Sequence, residues 1–322
     1  MKRILFITSN RLGDAVLSTG VLARLLEHFP GARTTVVCGP VPAGLFAALP
    51  GLERVIELPK RKHSLHWWDM WRACIPTFWD VVVDLRNAPL SYALFAKRQI
   101  HLGKANKMYG HRVVAMGSIL GEADNPPVPV LWSNAEHDAA AAKLIPDSGP
   151  VLALGPTANW IGKTWFAERF AELAKRLTAD DGIMPGARIA VMAHTSELEM
   201  ARPVLDMLPP ERTLNLVGNT SLATVGACLR RTDFYVGNDS GLMHMAAAAG
   251  IPTLGVFGPS REEHYAPWAG EHGKLGMAVR GEKSYEDVFP PDYDYRNTPS
   301  LMGDLSVDQA EAAARELWSQ VT

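Results

Sequence analysis

The sequence predicts an α/β protein of two Rossmann-like, doubly wound domains, and three observations carry that prediction. The chain has 322 residues, which at roughly 150 residues per domain makes two. Short apolar runs alternate with amphipathic helical patterns in both halves, the mark of βαβ units and parallel sheets. A stretch rich in proline and turn residues separates the two series. The composition is 47% hydrophobic and 20% charged with a net charge of −2. Such a chain buries a large core without staples, and disorder or collagen-like structure is excluded.

The first strand is Ile4–Ile7. Its apolar run ends there and Arg11 and Asp14 follow at once, so it reads as a buried strand and not as a signal peptide. Helical stretches at Ala15–His28 and Trp67–Phe78 then separate strand-like runs at Thr34–Cys38, Val55–Leu58 and Val81–Leu85. Asp124-Asn125-Pro126-Pro127-Val128-Pro129 cannot sustain a helix, and Asp147-Ser148-Gly149-Pro150 is a turn cluster. The chain changes domain between Asn134 and Pro150, and the divide is placed at 148/149. In the second half the strands are Val151–Leu154, Arg188–Met192, Thr213–Val217, Asp233–Val236 and Thr253–Phe257. The helices are Trp165–Leu177, Glu197–Leu208, Ser221–Arg230 and Leu242–Ala249. A last helix, Val307–Ser319, follows a loop rich in Pro, Tyr and Asp and is free to pack back on the first domain.

No run of 18 apolar residues exists, because Gly250, Pro252 and Gly255 interrupt the most apolar region, so no membrane-spanning helix is expected. Cys38, Cys74 and Cys228 form no CxxC pattern, which argues against a disulfide framework or structural zinc and fits a reducing, cytoplasmic setting. Charge is unevenly divided. Residues 1–148 hold 17 Lys and Arg against 12 Asp and Glu, and residues 149–322 hold 15 against 22. An anionic partner therefore suits the first half. Nucleic acid is a poor candidate, since no binding module is recognisable.

Two loops carry candidate chemistry. Asn10-Arg11-Leu12-Gly13-Asp14 joins the first strand to the first helix, and ligands of open α/β sheets bind at such strand ends. Gly13 stands alone, so the dinucleotide fingerprint G-x-G-x-x-G is absent. Asp14 is placed either to cap the helix or to act as a general base. The second loop is Gly237-Asn238-Asp239-Ser240-Gly241-Leu242-Met243-His244. Small residues at a strand-to-helix turn leave N–H groups open to a diphosphate. The Asp239 carboxylate would then have to point aside. His244, one helical turn past Ser240, either reaches that ligand or sits satisfied in the core. A serine-protease reading of Asp239-Ser240-Gly241 fails because Leu242 begins a helix, and Asn238 breaks the nucleophile elbow G-x-S-x-G.

These motifs, with two others, carry a resemblance. The chain resembles glycosyltransferase family 9, the ADP-heptose:lipopolysaccharide heptosyltransferases, over nearly its whole length. The matching segments are Leu12-Gly13-Asp14, Trp79–Arg86, Gly155–Trp165, and Gly237–His244 running through the alanine-rich helix to Phe257-Gly258-Pro259-Ser260. The element D-[ST]-G-x-x-H is the most specific. The resemblance implies the GT-B fold, with two Rossmann-like domains facing across a cleft, residues 1–148 binding acceptor and 149–322 binding nucleotide sugar. It implies Asp14 as the base that deprotonates the acceptor hydroxyl, which attacks the anomeric carbon with inversion. Lys163 would neutralise the leaving diphosphate. Thr157 and the amides of Ser240, Gly241 and Leu242 would hold phosphates, with Asp239 and His244 beside the donor sugar. Glu197 is the candidate for the nucleotide ribose, although Glu199 fits almost as well. Asn10, Arg11 and Gly13 fall on the acceptor side.

The resemblance implies no metal and no cofactor beyond the nucleotide-sugar co-substrate, with ADP-heptose favoured. Asp292-Tyr293-Asp294 imitates a DxD metal motif but lies in a Pro-rich loop and reads as solvated. Two positions depart from the family pattern: Arg11 replaces a small hydroxyl residue, and Ala158 stands where a second hydroxyl often follows Thr157. Both bear on which sugar and acceptor are used. The remaining readings are another nucleotide sugar, a nucleotide-sugar isomerase, and a silent binding module. An anionic glycolipid acceptor suits the basic stretch Lys97–Arg112, and Lys60-Arg61-Lys62-His63 before Trp67, Trp68 and Trp71 combines charge with aromatic anchors for peripheral membrane contact. The i, i+4 spacing of Trp67 and Trp71 equally suits a helix face packed on a core.

Overall fold

The structure is a computed structural model describing residues 1–218, 220–291, 293–294 and 299–321. Two compact units divide the chain, Met1–Asn134 and Ala135–Thr322.

The first unit runs β1 (Arg3–Ile7), α1 (Leu12–Leu17), α2 (Thr19–His28), β2 (Arg33–Cys38), β3 (Leu52–Glu57), α3 (His66–Cys74), β4 (Trp79–Asp84), β5 (Ala96–His101), α4 (Ala105–Met108) and α5 (Arg112–Ser118). Its five strands lie in the order β3-β2-β1-β4-β5, all parallel. β1 and β4 are buried on both faces and so read as continuous apolar runs. The edge strand β5 escapes that reading: its sequence is AKRQIH with Lys97 and Arg98 exposed. Part of the basic stretch Lys97–Arg112 is therefore strand.

The predicted helix Ala15–His28 is two helices. At the break the Ser18 hydroxyl donates to the Ala15 carbonyl at 2.7 Å and meets the Thr8 hydroxyl at 2.8 Å, so a side chain competes with the helix backbone. The start of α2 then passes under the Pro-rich segment. A Cβ on Gly20 would lie 2.3 Å from the Pro127 carbonyl oxygen, and the Val130 N–H donates to the Thr19 hydroxyl at 2.9 Å. In α3 the alternatives resolve residue by residue. Met70 and Cys74 join the core, Trp67 and Trp71 pack half-buried against it, and Trp68 is 49% exposed.

The second unit runs α6 (Ala135–Leu144), β6 (Val151–Gly155), α7 (Ala167–Leu177), β7 (Arg188–His194), α8 (Leu198–Met207), β8 (Thr213–Gly218), α9 (Leu222–Leu229), β9 (Phe234–Asn238), α10 (Gly241–Ala248), β10 (Thr253–Phe257), α11 (Glu262–Tyr265), β11 (Gly276–Arg280) and α12 (Val307–Val321). The strand order is β11-β10-β9-β6-β7-β8, again all parallel. The unit begins at Ala135, earlier than the 148/149 divide. The reason is that α6 packs on α9, tied by Arg230–Asp138 at 3.4 Å and Arg231–Asp147 at 2.5 Å. The last helix, α12, lies on α7, β10 and β11, with Ala310, Ala314 and Leu317 in the core of the second unit and Trp318 edge-on to Phe234.

Both sheets reverse direction of growth once, between β1 and β4 and between β6 and β9. At such switch points the loops leaving neighbouring carboxyl ends diverge and leave a crevice for ligand. The candidate loops follow β1, β6 and β9, and so sit at these two places. No helix among the described residues is long and apolar enough to cross a membrane.

Candidate active site at the strand ends

In the second unit the sequence candidates converge. β6 and β9 pair up to Gly155 opposite Gly237, and the chain leaving each strand carries the polar groups. After β6 it makes a short 3₁₀ turn, Ile161–Lys163, that is clamped from three sides. Gly162 accepts the Leu301 N–H at 3.0 Å, and Thr164 accepts the Ser300 hydroxyl at 2.6 Å. The Trp165 N–H donates to Asn238 Oδ1 at 2.9 Å while its indole N–H donates to the Leu305 carbonyl at 3.0 Å. Trp165 is fully buried, so it anchors Lys163 as a core residue does. Asn238, in turn, ties the Lys163 turn to the end of β9.

The fixed turn delivers the Lys163 ammonium to Asp239 Oδ2 at 2.5 Å. The side chain of Asp239 is 7% exposed and that of Lys163 24%. His244 Nε2 lies 3.8 Å from the other carboxylate oxygen, with its own side chain 4% exposed. This answers the question the sequence raised about an acid beside a diphosphate: the Asp239 carboxylate already has a cation, and an anion arriving here meets Lys163 as well. Ser240 stands immediately before α10 in extended conformation and its side chain does not cap the helix. The first N–H groups of α10, from Gly241 and Leu242 onward, lack intrahelical partners by construction and carry the positive end of the helix dipole.

Thr157 and Glu197 also meet. The Thr157 hydroxyl donates to Glu197 Oε2 at 2.9 Å, and the same oxygen accepts the His194 N–H at 3.2 Å in a capping box at the β7 end. Thr157 is buried. Its one hydroxyl proton is therefore committed to Glu197, and a phosphate could take it only by displacing that carboxylate. Glu199 points elsewhere: it pairs with Arg202 at 2.8 Å and is 83% exposed. The geometry separates two glutamates that sequence alone did not.

Beneath the loops lies a residue that sequence reading missed. A Cβ on Gly155 would sit 1.9 Å from the Tyr235 hydroxyl oxygen, and one on Gly237 2.3 Å. Tyr235 can lie along β9 only because the last residue pair of β6 and β9 is glycine. Its phenol reaches the level of the Ser240 loop, and burial pushes its pKa far up, with the Ser240 hydroxyl working weakly the other way. It is therefore a neutral, buried hydroxyl under the ligand crevice. Tyrosine in a strand looks like ordinary core; only the two glycines at strand ends hinted otherwise.

In the first unit Asn10 and Arg11 occupy the loop after β1, and Gly13 and Asp14 fall in the first turn of α1. Arg11 is exposed and precedes α1, with its N–H on the Ser9 hydroxyl at 3.1 Å. Asp14 sits in the first turn of α1, where the helix dipole favours a carboxylate, and Ser9 donates to its Oδ2 at 3.4 Å. The strand motif Trp79–Arg86 gains a structural account. Asp84 is fully buried and accepts the Arg86 N–H at 2.8 Å, the Ala88 N–H at 2.6 Å and the Ser91 hydroxyl at 2.7 Å. It shapes the turn after β4 beside the Asp14 loop. Among the described residues no group of three or more His, Cys, Asp or Glu is placed to hold a metal ion. Asp292 of the DxD-like segment lies outside the described residues.

Comparison with known proteins identifies the family and the fold. The family model described as glycosyltransferase family 9 (heptosyltransferase) matches residues 84–288. The lipooligosaccharide heptosyltransferase 2 of Haemophilus influenzae is 25% identical over 315 residues, covering 87% of this chain and 89% of that protein. Among solved structures, a family 9 glycosyltransferase from Veillonella parvula superposes with a TM-score of 0.75 at 19% identity, covering 99% of this chain and 98% of that one. The Escherichia coli ADP-heptose lps heptosyltransferase II superposes with a TM-score of 0.73 at 20% identity, covering 100% and 99%. Two parallel-sheet domains of GT-B type, with the motifs of the family at their strand ends, make this chain a glycosyltransferase, and it belongs to glycosyltransferase family 9, the heptosyltransferase family.

Proposed function

We propose that the protein transfers heptose from ADP-heptose to a hydroxyl of a lipopolysaccharide-core or related envelope glycolipid, with inversion and without a metal ion, at the cytoplasmic side of the membrane. The observation that carries the proposal is the Lys163–Asp239 pair beside the open start of α10, at the point where the second sheet reverses. A diphosphate bound there receives a cation and a row of N–H groups, so the charge that develops on the departing nucleotide is met by fixed dipoles. Asp14 accepts the proton of the acceptor hydroxyl, the hydroxyl oxygen bonds to the anomeric carbon from the face opposite the diphosphate, and the sugar–phosphate bond breaks with its electron pair on ADP. Glu197 receives the nucleotide ribose, with Thr157 orienting it. In this reading Thr157 is a positioning residue for Glu197, and the phosphates rest on Lys163 and the amides of Ser240, Gly241 and Leu242. His244 and Asp239 border the sugar, while Asn10, Arg11 and Gly13 border the acceptor.

The named activity of the relatives supports the heptose donor: the H. influenzae protein is a lipooligosaccharide heptosyltransferase and the E. coli structure an ADP-heptose enzyme. The test is a thermal-shift series with ADP, UDP, GDP, CMP and NAD, followed by turnover. A ligand that binds only the folded chain raises its melting temperature with occupancy. ADP stabilising above the others, with ADP released from ADP-heptose only when glycolipid is added, is the expected result. Preference for UDP or GDP would replace the donor, nucleotide-sugar conversion without acceptor would make it an isomerase, and binding without turnover a silent module.

A further inference from the structure

On the first unit, on α3 and the segments beside it, five large apolar side chains stand in the open. Leu65 and Trp68 are 48% and 49% exposed, Phe78 and Tyr92 59% each, and Phe95 62%. They belong to one ridge. Leu65 begins α3, and Trp68 stacks on Trp71 at 4.9 Å. The Trp71 indole N–H reaches the Ala93 carbonyl at 3.4 Å, in the 3₁₀ turn Pro89–Ala93 that carries Tyr92. Phe95 follows that turn and accepts the Trp79 N–H at 2.9 Å, so it neighbours Phe78 at the start of β4. Burying such side chains would be favourable, since each fully buried large apolar group contributes about 1.5–3 kcal/mol in general. Large apolar side chains left open on neighbouring segments in this way mark a candidate interaction surface.

The charges around the ridge indicate what covers it. Its two acids are already neutralised: Asp69 pairs with Arg61 at 2.5 Å, and Asp80 with Lys97 at 2.8 Å and Lys2 at 3.4 Å, which holds its carboxyl far below the usual range. Lys60, Lys62 and Arg72 are exposed and, among the described residues, carry no ion pair. The result is aromatic rings ringed by uncompensated cations. Tryptophan, tyrosine and phenylalanine with lysine and arginine is the combination that seats in the interface of an anionic bilayer. A protein partner would instead have to place acids around an apolar patch of matching shape.

We infer that the α3 ridge is a docking surface for an anionic lipid bilayer, with Trp68, Tyr92 and Phe95 entering the headgroup region and Lys60, Lys62 and Arg72 meeting lipid phosphates. The inference deepens the glycolipid reading above by naming the surface that would hold the enzyme at its acceptor, yet its test needs no acceptor. Full-length protein is sedimented with phosphatidylcholine vesicles and with vesicles containing phosphatidylglycerol, at low and high salt. Expected is at least tenfold tighter partitioning to the anionic vesicles, largely lost in high salt. The double variants Trp68→Ser/Phe95→Ser and Lys60→Glu/Lys62→Glu should each weaken it more than tenfold, while melting temperature and turnover on a detergent-solubilised acceptor stay unchanged. No partitioning to anionic vesicles, or partitioning indifferent to both variants, would overturn the inference. So would concentration-dependent dimerisation abolished by Trp68→Ser/Phe95→Ser, which would assign the ridge to a second copy. Failure of the heptosyl reading would show instead as absent turnover with vesicle binding intact.

Discussion

Replacing Lys163 with Met removes the cation while keeping most of the aliphatic stem, and the structure sets two separable costs. The first is structural. Asp239 has a carboxylate that is 7% exposed and held by Lys163 at 2.5 Å, with His244 Nε2 at 3.8 Å on its other oxygen. Removing one partner of a fully buried pair costs about 3–5 kcal/mol. Lys163 itself is 24% exposed, so water screens part of the loss and about 1–3 kcal/mol is the better figure. The second cost is catalytic: loss of a cation at the departing diphosphate should slow transfer by more than about tenfold, or roughly 1.4 kcal/mol of transition-state stabilisation. Urea unfolding reads the first and initial rates at saturating donor the second. The variant Lys163→Met/Asp239→Asn distinguishes them, because it leaves no unpaired buried charge. Its stability should recover toward that of the parent while its rate stays low. Recovery of both would refute the reasoning and reduce Lys163 to a counter-ion for Asp239, and an unchanged rate in Lys163→Met would do so at once.

Four further outcomes are expected. Asp14→Asn should abolish transfer while leaving ADP affinity, read by calorimetry, within a few-fold; undiminished turnover removes Asp14 as the base. Gly155→Ala should destabilise the protein by about 1–3 kcal/mol through overpacking, since its Cβ would lie 1.9 Å from the Tyr235 hydroxyl. Tyr235→Val should partly rescue it, and strictly additive effects in that double-mutant cycle would show that the two do not touch. Asp84→Ala should cost about 3–5 kcal/mol in urea unfolding, because three donors lose a buried charged acceptor; an effect under about 1 kcal/mol would contradict the turn described for β4. Burial pushes the Cys38 thiol up to about 12 and those of Cys74 and Cys228 up to about 11. A thiol reagent at neutral pH should therefore leave the native chain unlabelled. Because unfolded thiols ionise near 9.0 and the folded ones do not, their contribution to stability is complete below about pH 9 and declines as pH rises toward 11–12.

How much of this was legible depends on burial. β1, β4, β6, β9 and β10 are covered on both faces and announce themselves as apolar runs. The edge strands β5 and β11 have one open side and carry Lys97, Arg98 and Arg280, so the same rule passes over them. The break at Ser18 was hidden because its cause is a hydroxyl pair with Thr8 across the loop and a close approach from Pro127, both set by tertiary contact. Nothing local in Ala135–Leu144 says that this segment is a helix that packs on α9 and moves the divide to Ala135.

The site was legible in a different way. Loops that follow strands at a switch point have open backbone groups whatever their sequence, so Asn10–Asp14 and Gly237–His244 could be located from order alone. What order could not supply was partnership. Lys163 and Asp239 are 76 residues apart, as are no two residues that a local pattern can relate, and their pairing depends on Asn238 gripping the Trp165 N–H. That bond makes the core of the second unit the support for its charge: Trp165 packs on Phe170, fixes the turn ahead of it, and so fixes the ammonium. A consequence is that Asn238→Ala, which touches no proposed substrate atom, should loosen Lys163 and lower kcat more than it raises the donor KM. Preorganised charge acts on the transition state rather than on ground-state binding. A variant that raised KM alone would mean that the Lys163 turn holds its place without Asn238.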